Sequence, residues 1–396
     1  MHPSEEIYCE KSNRLRGKTI VLGITGSIAA TECFSVIREL VRHGAKVIPV
    51  MTPNAVKLAA PDAIEFACGV KPIIELTGQT EHIMHLGDPS AADLFIVYPA
   101  TANTISKMAN GIDDTAVTSM AAVALGSKMP VAVAPAMHEL MINNPAVSKN
   151  LKTLEDWGVH VIGPQRDGVR AKAASRDEIV SWAIRLLSRT DLSGRRILVI
   201  GGRSEEPIDS MRMITNRSTG LMALALAKRA FERGADVDLW MGGCSTMLPH
   251  FLKVKRFTEV SDLVGMLDMV DHDLVIVPAA LADFTPAKKM EGKIPSEATF
   301  DIKLKPVPKV LPMIRKRCEN VIGFKAESGL TEEELEKKAR ARLEEYDLRA
   351  VVANDIDVAG RSTSSAILVC RDESKNITGT KIEVSDEILN YCAEIL

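Results

Sequence analysis

Short apolar runs alternate along this chain with stretches long enough for a helix. Residues 93–98 and 131–134 are rich in Ile, Val and Ala, and each run breaks at a proline. Two such runs separated by a helix-length segment predict neighbouring parallel strands of an α/β sheet. Residues 18–31 read as strand, glycine turn and helix start, with the helix continuing to about residue 42, and 46–51 and 159–162 add strands. Helices are predicted over 61–68, around 145–157 and near 177–188, while 1–17 is a polar arm or first helix and 75–80 a mobile link. After a linker at 190–195 the alternation restarts. Strands are predicted at 195–202, 236–241, 274–278, 321–324 and 349–352, an Ala-rich amphipathic helix over 218–233 and a charged helix over 331–345. Residues 366–371 and 381–384 read as a terminal hairpin. The expected fold is α/β, with two doubly wound, Rossmann-like domains over 1–188 and 189–396 and no sequence repeat between them.

Composition narrows the classes of function. A chain of 396 residues can bury two or three cores. Its formal charge of −3 offers no basic surplus for nucleic acid, and 4 % aromatic residues argue against stacking platforms for single strands. No apolar run reaches the length of a membrane helix, and the first residues lack a signal-peptide core, so no membrane and a cytoplasmic location are expected. The seven cysteines are scattered without a CxxC pair, which indicates neither a zinc site nor a disulfide framework.

Ligands of open α/β sheets collect past the carboxyl ends of the strands. The first run ends in Pro99, Ala100, Thr101 and Asn103, and the second in Ala136, Met137 and His138, which suggests one shared pocket. Gly26 and Ser27, at a strand-to-helix turn, suit a phosphate, and Thr52 reaches the same edge from the next strand. Without a GxGxxG spacing, a mononucleotide phosphate fits better than a dinucleotide. Singly, these residues are ordinary turn formers and packing glycines; their combination points to a site. The Gly- and charge-rich loop 163–176 is a lid or a solvated connector. In the second half, the polar insertion 203–220 and the long lysine-rich loop 279–297 stand where substrate contacts are made.

The motifs GITGSIAA, HLGDPSAADL, PATANTISKMANGI and PAMHELM, followed by RSEEPID, RMITNRSTG, ALADF and GFKAES, stand in a familiar order. Over roughly residues 18–390 the chain resembles the bifunctional coenzyme A biosynthesis proteins, a phosphopantothenoylcysteine decarboxylase fused to a phosphopantothenate–cysteine ligase. The resemblance implies a flavodoxin-like decarboxylase fold and a ribokinase- or Rossmann-like ligase fold. It implies that Gly26, Ser27, Ile28 and Thr52 hold the phosphate side of FMN, and that Pro99, Ala100, Thr101, Asn103, Ala136 and Met137 line the flavin. His85 falls on the catalytic histidine. In the second half Asn216 falls on the asparagine of the acyl-nucleotide intermediate and Lys293 on the essential lysine of a mobile flap. Ala279, Asp283, Pro308, Lys309, Val310 and Phe324 would surround the nucleotide, Lys338 and Arg342 would meet its triphosphate, and Asp283 would hold Mg2+.

Two positions depart from the family pattern, as in archaeal-looking members. His138 replaces an asparagine that binds the substrate carboxylate, and Lys172 stands near the place of a proton-donating cysteine. The implied reactions are nucleotide-dependent joining of 4'-phosphopantothenate to L-cysteine, with CTP favoured over ATP, then flavin-dependent loss of CO2. The resemblance further implies a homo-oligomer with trimeric flavin domains and dimeric ligase domains, up to a dodecamer. Alternatives are a flavin prenyltransferase-like enzyme and a regulatory flavin-binding protein.

Overall fold

The computed structural model describes residues 2–87, 89, 92–167, 170–295, 299, 301–355 and 363–396, the side chains of 165–172 and 363–364 excepted. The chain divides into two compact units, Met1–Arg189 with Pro249–Phe251, and Thr190–Leu248 with Leu252–Leu396.

In the first unit β1 (Thr19–Ile24), β2 (Lys46–Met51), β3 (Leu94–Ala100), β4 (Val131–Pro135) and β5 (His160–Val161) form a parallel sheet in the order β2-β1-β3-β4-β5. That is the flavodoxin-like order, with its topological switch between β1 and β3. Side chains alternate across the pleat. Leu94, Ile96 and Tyr98 of β3 enter one core with Val36, Ile37, Ile64 and Ile179. Phe95 and Val97 enter the other with Ile105, Val117, Met120 and Leu154. Both faces are therefore covered by helices, which is why the strands read as unbroken apolar runs. Two short strands, β6 (Gln165–Asp167) and β7 (Arg170–Lys172), pair antiparallel in the loop after β5.

The second unit holds β8 (Arg196–Gly201), β9 (Glu205–Pro207), β10 (Met213–Thr215), β11 (Asp236–Met241), β12 (Lys253–Arg256), β13 (Leu274–Val277), β14 (Phe284–Pro286), β15 (Leu304–Pro306), β16 (Val321–Glu327), β17 (Ala350–Asp355), β18 (Thr363–Cys370) and β19 (Ser374–Thr380). Its large sheet runs β12-β11-β8-β13-β16-β17-β18-β19. The first six strands are parallel and repeat the Rossmann order 3-2-1-4-5-6, with the switch between β8 and β13. β18 and β19 close the edge antiparallel, and β9–β10 and β14–β15 are separate two-stranded pairs. Among the described residues no helix is long and apolar enough to cross a membrane.

The terminal hairpin is corrected: β18 pairs with β19, and residues 381–384 open the helix Lys381–Ile395. Thr380 caps that helix, its hydroxyl accepting the Glu383 N–H while the Glu383 carboxylate accepts the Thr380 N–H. The Thr-x-x-Glu signal of a helix start outweighs the local alternation of Lys381-Ile-Glu-Val384. Buried Val384, Ile388, Leu389 and Cys392 then follow the helical period.

Candidate active sites

In the first unit the predicted pocket is built by hydrogen bonds between strand ends. Buried Thr25 donates its hydroxyl to the Pro99 carbonyl at 2.6 Å and accepts the Thr101 N–H at 3.1 Å, joining β1 to β3 across the switch point. Ser27 donates to the Ala136 carbonyl at 3.1 Å, and the Ala136 N–H donates to the Ala100 carbonyl at 3.0 Å, joining β1, β3 and β4. Thr52 donates its N–H to Ile24 at 3.0 Å and caps the short helix Pro53–Val56. A Cβ at Gly26 would stand 2.6 Å from the Asn54 Cβ, so that turn accepts only glycine. Gly26, Ser27, Thr52, Pro99, Ala100, Thr101 and Ala136 thus occupy one carboxyl edge. Thr101 caps the helix Ala102–Ala109, and Asn103 on its first turn is exposed. Met137 packs partly against the second core, and Ile28 leaves an apolar side chain 75 % exposed beside the turn. Thr25 escaped the sequence reading because a lone hydroxyl at the end of an apolar run looks like ordinary core.

His85 lies elsewhere. It sits on the short helix Glu81–Leu86, and its carbonyl accepts the Ala92 N–H at 3.1 Å, just before β3 begins. β3 is seven residues long, and at ~3.3 Å per residue it puts about 20 Å between that end and Ala100. A histidine side chain spans only a small part of such a distance. Burial, then nearby Lys46, lowers the His85 pKa against the opposing pull of Glu81. Its buried Nδ1 meets no hydrogen-bond partner among the described residues.

His138 is exposed and caps the helix Glu139–Ile142, its Nδ1 accepting the Leu140 N–H at 3.2 Å. The Lys172 backbone closes the β6–β7 pair opposite Gln165; its side chain lies outside the described residues.

In the second unit the switch point is equally crowded. Gly202 takes φ +77°, and a Cβ there would meet the Gly243 carbonyl at 2.8 Å. Arg203 continues past it, bridging to Gly243 on one side and Ala280 on the other. Buried Ser204 accepts the Ala282 N–H at 2.9 Å, and its carbonyl accepts the Thr215 hydroxyl at 2.7 Å. The exposed Asn216 amide donates to the Ala280 and Leu281 carbonyls at 3.3 and 2.9 Å. The β9–β10 hairpin and the segment after β13 therefore form one platform holding Asn216 and half-buried Ala279.

Pairing of β14 with β15 brings Asp283 to Lys309, and their side chains form an ion pair at 2.5 Å. Lys309 precedes the helix Val310–Arg315; Pro308 is exposed, Val310 buried, and Phe324 on β16 half-buried. Lys338 and Arg342 project one turn apart from the helix Glu332–Glu345. Glu327 pairs with Lys325 at 2.7 Å and with Lys338 at 3.3 Å, and the Lys325 hydrogen bond foremost holds its carboxyl below the ordinary range. The Arg342 guanidinium lies 5.2 Å from the Tyr346 ring centre. Lys293 is exposed on a segment fastened to the β9–β10 hairpin. No group of three or more metal-ligating side chains occurs among the described residues.

Residues 9–188 match the family described as Flavoprotein, and residues 192–396 match the DNA/pantothenate metabolism flavoprotein C-terminal domain. A coenzyme A biosynthesis bifunctional protein CoaBC from Thermococcus kodakarensis is 41 % identical, with both chains covered in full. One from Methanocaldococcus jannaschii is 34 % identical over all of this chain and 98 % of its own. A DNA/pantothenate metabolism flavoprotein structure from Streptococcus pneumoniae covers 51 % of this chain and 100 % of its own, at 25 % identity and TM-score 0.47.

Proposed function

The chain belongs to the family of bifunctional coenzyme A biosynthesis proteins, and from that membership we propose how each unit works. It is an enzyme with phosphopantothenate–cysteine ligase and phosphopantothenoylcysteine decarboxylase activities. The observation that carries the proposal is that each unit builds a polar, glycine-turned edge at its own switch point, where ligands of such sheets bind.

The first edge fits FMN. The absent Cβ of Gly26 lets the turn pack against Asn54, Ser27 and Thr52 stand at the same strand ends, and exposed Ile28 offers an apolar face. Pro99, Ala100, Thr101, Asn103, Ala136 and Met137 would line the ring. When bound, FMN supplies the two-electron sink that lets CO2 leave a carbon with no adjacent carbonyl. His85 takes the substrate thiol proton, a task its lowered pKa suits because the imidazole stays neutral near pH 7. Lys172 and His138 bind the substrate carboxylate and return a proton. Since His85 stands at the opposite end of β3 from this edge, we take it to serve the edge of a second copy, which makes the active form a homo-oligomer. The trimeric and dimeric domain arrangement, up to a dodecamer, belongs to this proposal.

At the second edge CTP activates the carboxylate of 4'-phosphopantothenate as an acyl nucleotide, and the L-cysteine amine displaces the nucleotide to form the amide. Lys293, Lys338 and Arg342 neutralise the triphosphate, and Asn216 hydrogen-bonds the mixed anhydride without adding charge. Mg2+ would arrive with the nucleotide, and Asp283 is its single carboxylate, which suits an ion held mainly by phosphates and water. Lys309 would then exchange Asp283 for a phosphate. A cytoplasmic location belongs to this proposal.

Purified protein should absorb as a flavoprotein, release pyrophosphate with CTP faster than with ATP, and release CO2 from phosphopantothenoylcysteine. His85→Asn should keep its FMN and its ligase activity while losing CO2 release. A variant that still releases CO2 at the wild-type rate removes His85 from the mechanism.

A further inference from the structure

The tip of the β9–β10 hairpin holds a carboxylate with more bonds than its own turn requires. Asp209 is 3 % exposed; one oxygen accepts the N–H groups of Met211 and Arg212, both at 2.7 Å, and so closes the turn. The other oxygen reaches out of the hairpin. It accepts the Ile294 N–H at 3.0 Å and the Arg212 guanidinium at 2.5 Å, while Arg212 donates to the Ile294 carbonyl at 3.1 Å. Two main-chain bonds extend the seam, Met290 N–H to the Ile208 carbonyl at 2.9 Å and Ser210 N–H to the Gly292 carbonyl at 3.1 Å. Both polar groups of the Ile294 backbone are thus clasped by one ion pair, and Ile294 itself is buried. Lys293, the preceding residue, keeps its side chain in solvent. The base of the same hairpin leads to Asn216, bonded to the Leu281 carbonyl. The hairpin therefore links the segment that bears Lys293 to Asn216, the two residues assigned to activation and to the acyl nucleotide.

We propose that Asp209, with Arg212, is a positioning residue for carboxylate activation: it fixes the backbone beside Lys293 so that the lysine meets the triphosphate at a set distance from Asn216. The inference rests on the assignment of Lys293 to activation. In Asp209→Asn the oxygen that closes the turn can be kept, but an amide N–H₂ then faces the Ile294 N–H, donor against donor. Asp209→Ser keeps an acceptor for the turn and is too short to reach Ile294.

The test measures single-turnover pyrophosphate release with CTP and 4'-phosphopantothenate, and separately amide formation from preformed acyl nucleotide and cysteine. Asp209→Asn and Asp209→Ser should slow the first step, on the order of tenfold to a hundredfold as expected for a displaced catalytic group, and leave the second near the wild-type rate. Trypsin should cleave after Lys293 faster in both variants. Combined with Lys293→Gln, Asp209→Asn should add little further loss, because a residue acting through Lys293 has nothing left to position. Slow pyrophosphate release in Lys293→Gln with normal release in both Asp209 variants overturns the clasp and leaves the Lys293 assignment standing. Normal release in Lys293→Gln overturns that assignment instead. Equal slowing of both steps, or a fully additive double variant, would show that Asp209 only stabilises the fold and would also overturn the proposal.

Discussion

At the scale of single residues, the surroundings of a side chain decide its use. His85 is an ordinary histidine in the sequence, and the structure adds what the motif did not carry: burial and Lys46 depress its pKa while Glu81 raises it. The folded value lies below the ordinary 6.5 of a histidine, so the proposed base stays neutral through pH 7 and is lost only as pH falls through the depressed value. The acid limb of kcat for CO2 release should therefore fall below that reference, and Lys46→Gln should move it toward higher pH. An unmoved limb would mean that the Lys46 charge does not reach the base. Of the two departures from the family pattern, His138 already spends its Nδ1 on a helix cap, and the proposal gives proton donation to Lys172. Lys172→Met is expected to release CO2 but to stall with the unsaturated thiol in single turnover. Full conversion to saturated product would eliminate Lys172 as donor. Asp209 and Thr25 were not legible in the sequence, because their partners at Ile294 and Pro99 are 85 and 74 positions away.

Among elements, legibility followed burial. Strands β1, β3, β4, β8 and β13 are covered on both faces, so their apolar runs announced them. The edge strands of the second sheet did not: β12 is Lys-Val-Lys-Arg and β19 is mostly polar, since an edge has one side in solvent. The final helix was misread because four alternating residues were weighed without the cap before them. The site's own scaffold depends on a contact between elements that no local pattern encodes, the Thr25 hydroxyl between β1 and β3. Thr25→Val keeps the shape but strands the Pro99 carbonyl and the Thr101 N–H, at a cost of roughly 1–3 kcal/mol for a buried unsatisfied group. Denaturant titration of the first-unit transition should show that loss, together with weaker FMN retention. Unchanged stability would mean that water or a shift of β3 satisfies both groups.

For the whole molecule, the decisive geometry is the length of β3. The residues proposed to hold FMN stand at its carboxyl end, and the helix bearing His85 is tied to its other end through Ala92. Sequence proximity was misleading here: His85 and Pro99 are close in number, but an extended strand converts that closeness into separation. If the site is completed between copies, as cyclic homo-oligomers allow, two inactive chains can rescue each other. Ser27→Asp, which sets a negative charge against the FMN phosphate, should abolish CO2 release by emptying its own edge. His85→Asn should abolish it by removing the base. Co-expressed in one cell and purified together through two different tags, the pair should regain a sizeable fraction of wild-type CO2 release, because some interfaces join an intact His85 to an intact edge. Mixing the separately purified oligomers without subunit exchange should regain none. A co-purified hetero-oligomer with no more activity than either parent would place His85 and FMN in the same chain, and the β3 argument would then fail.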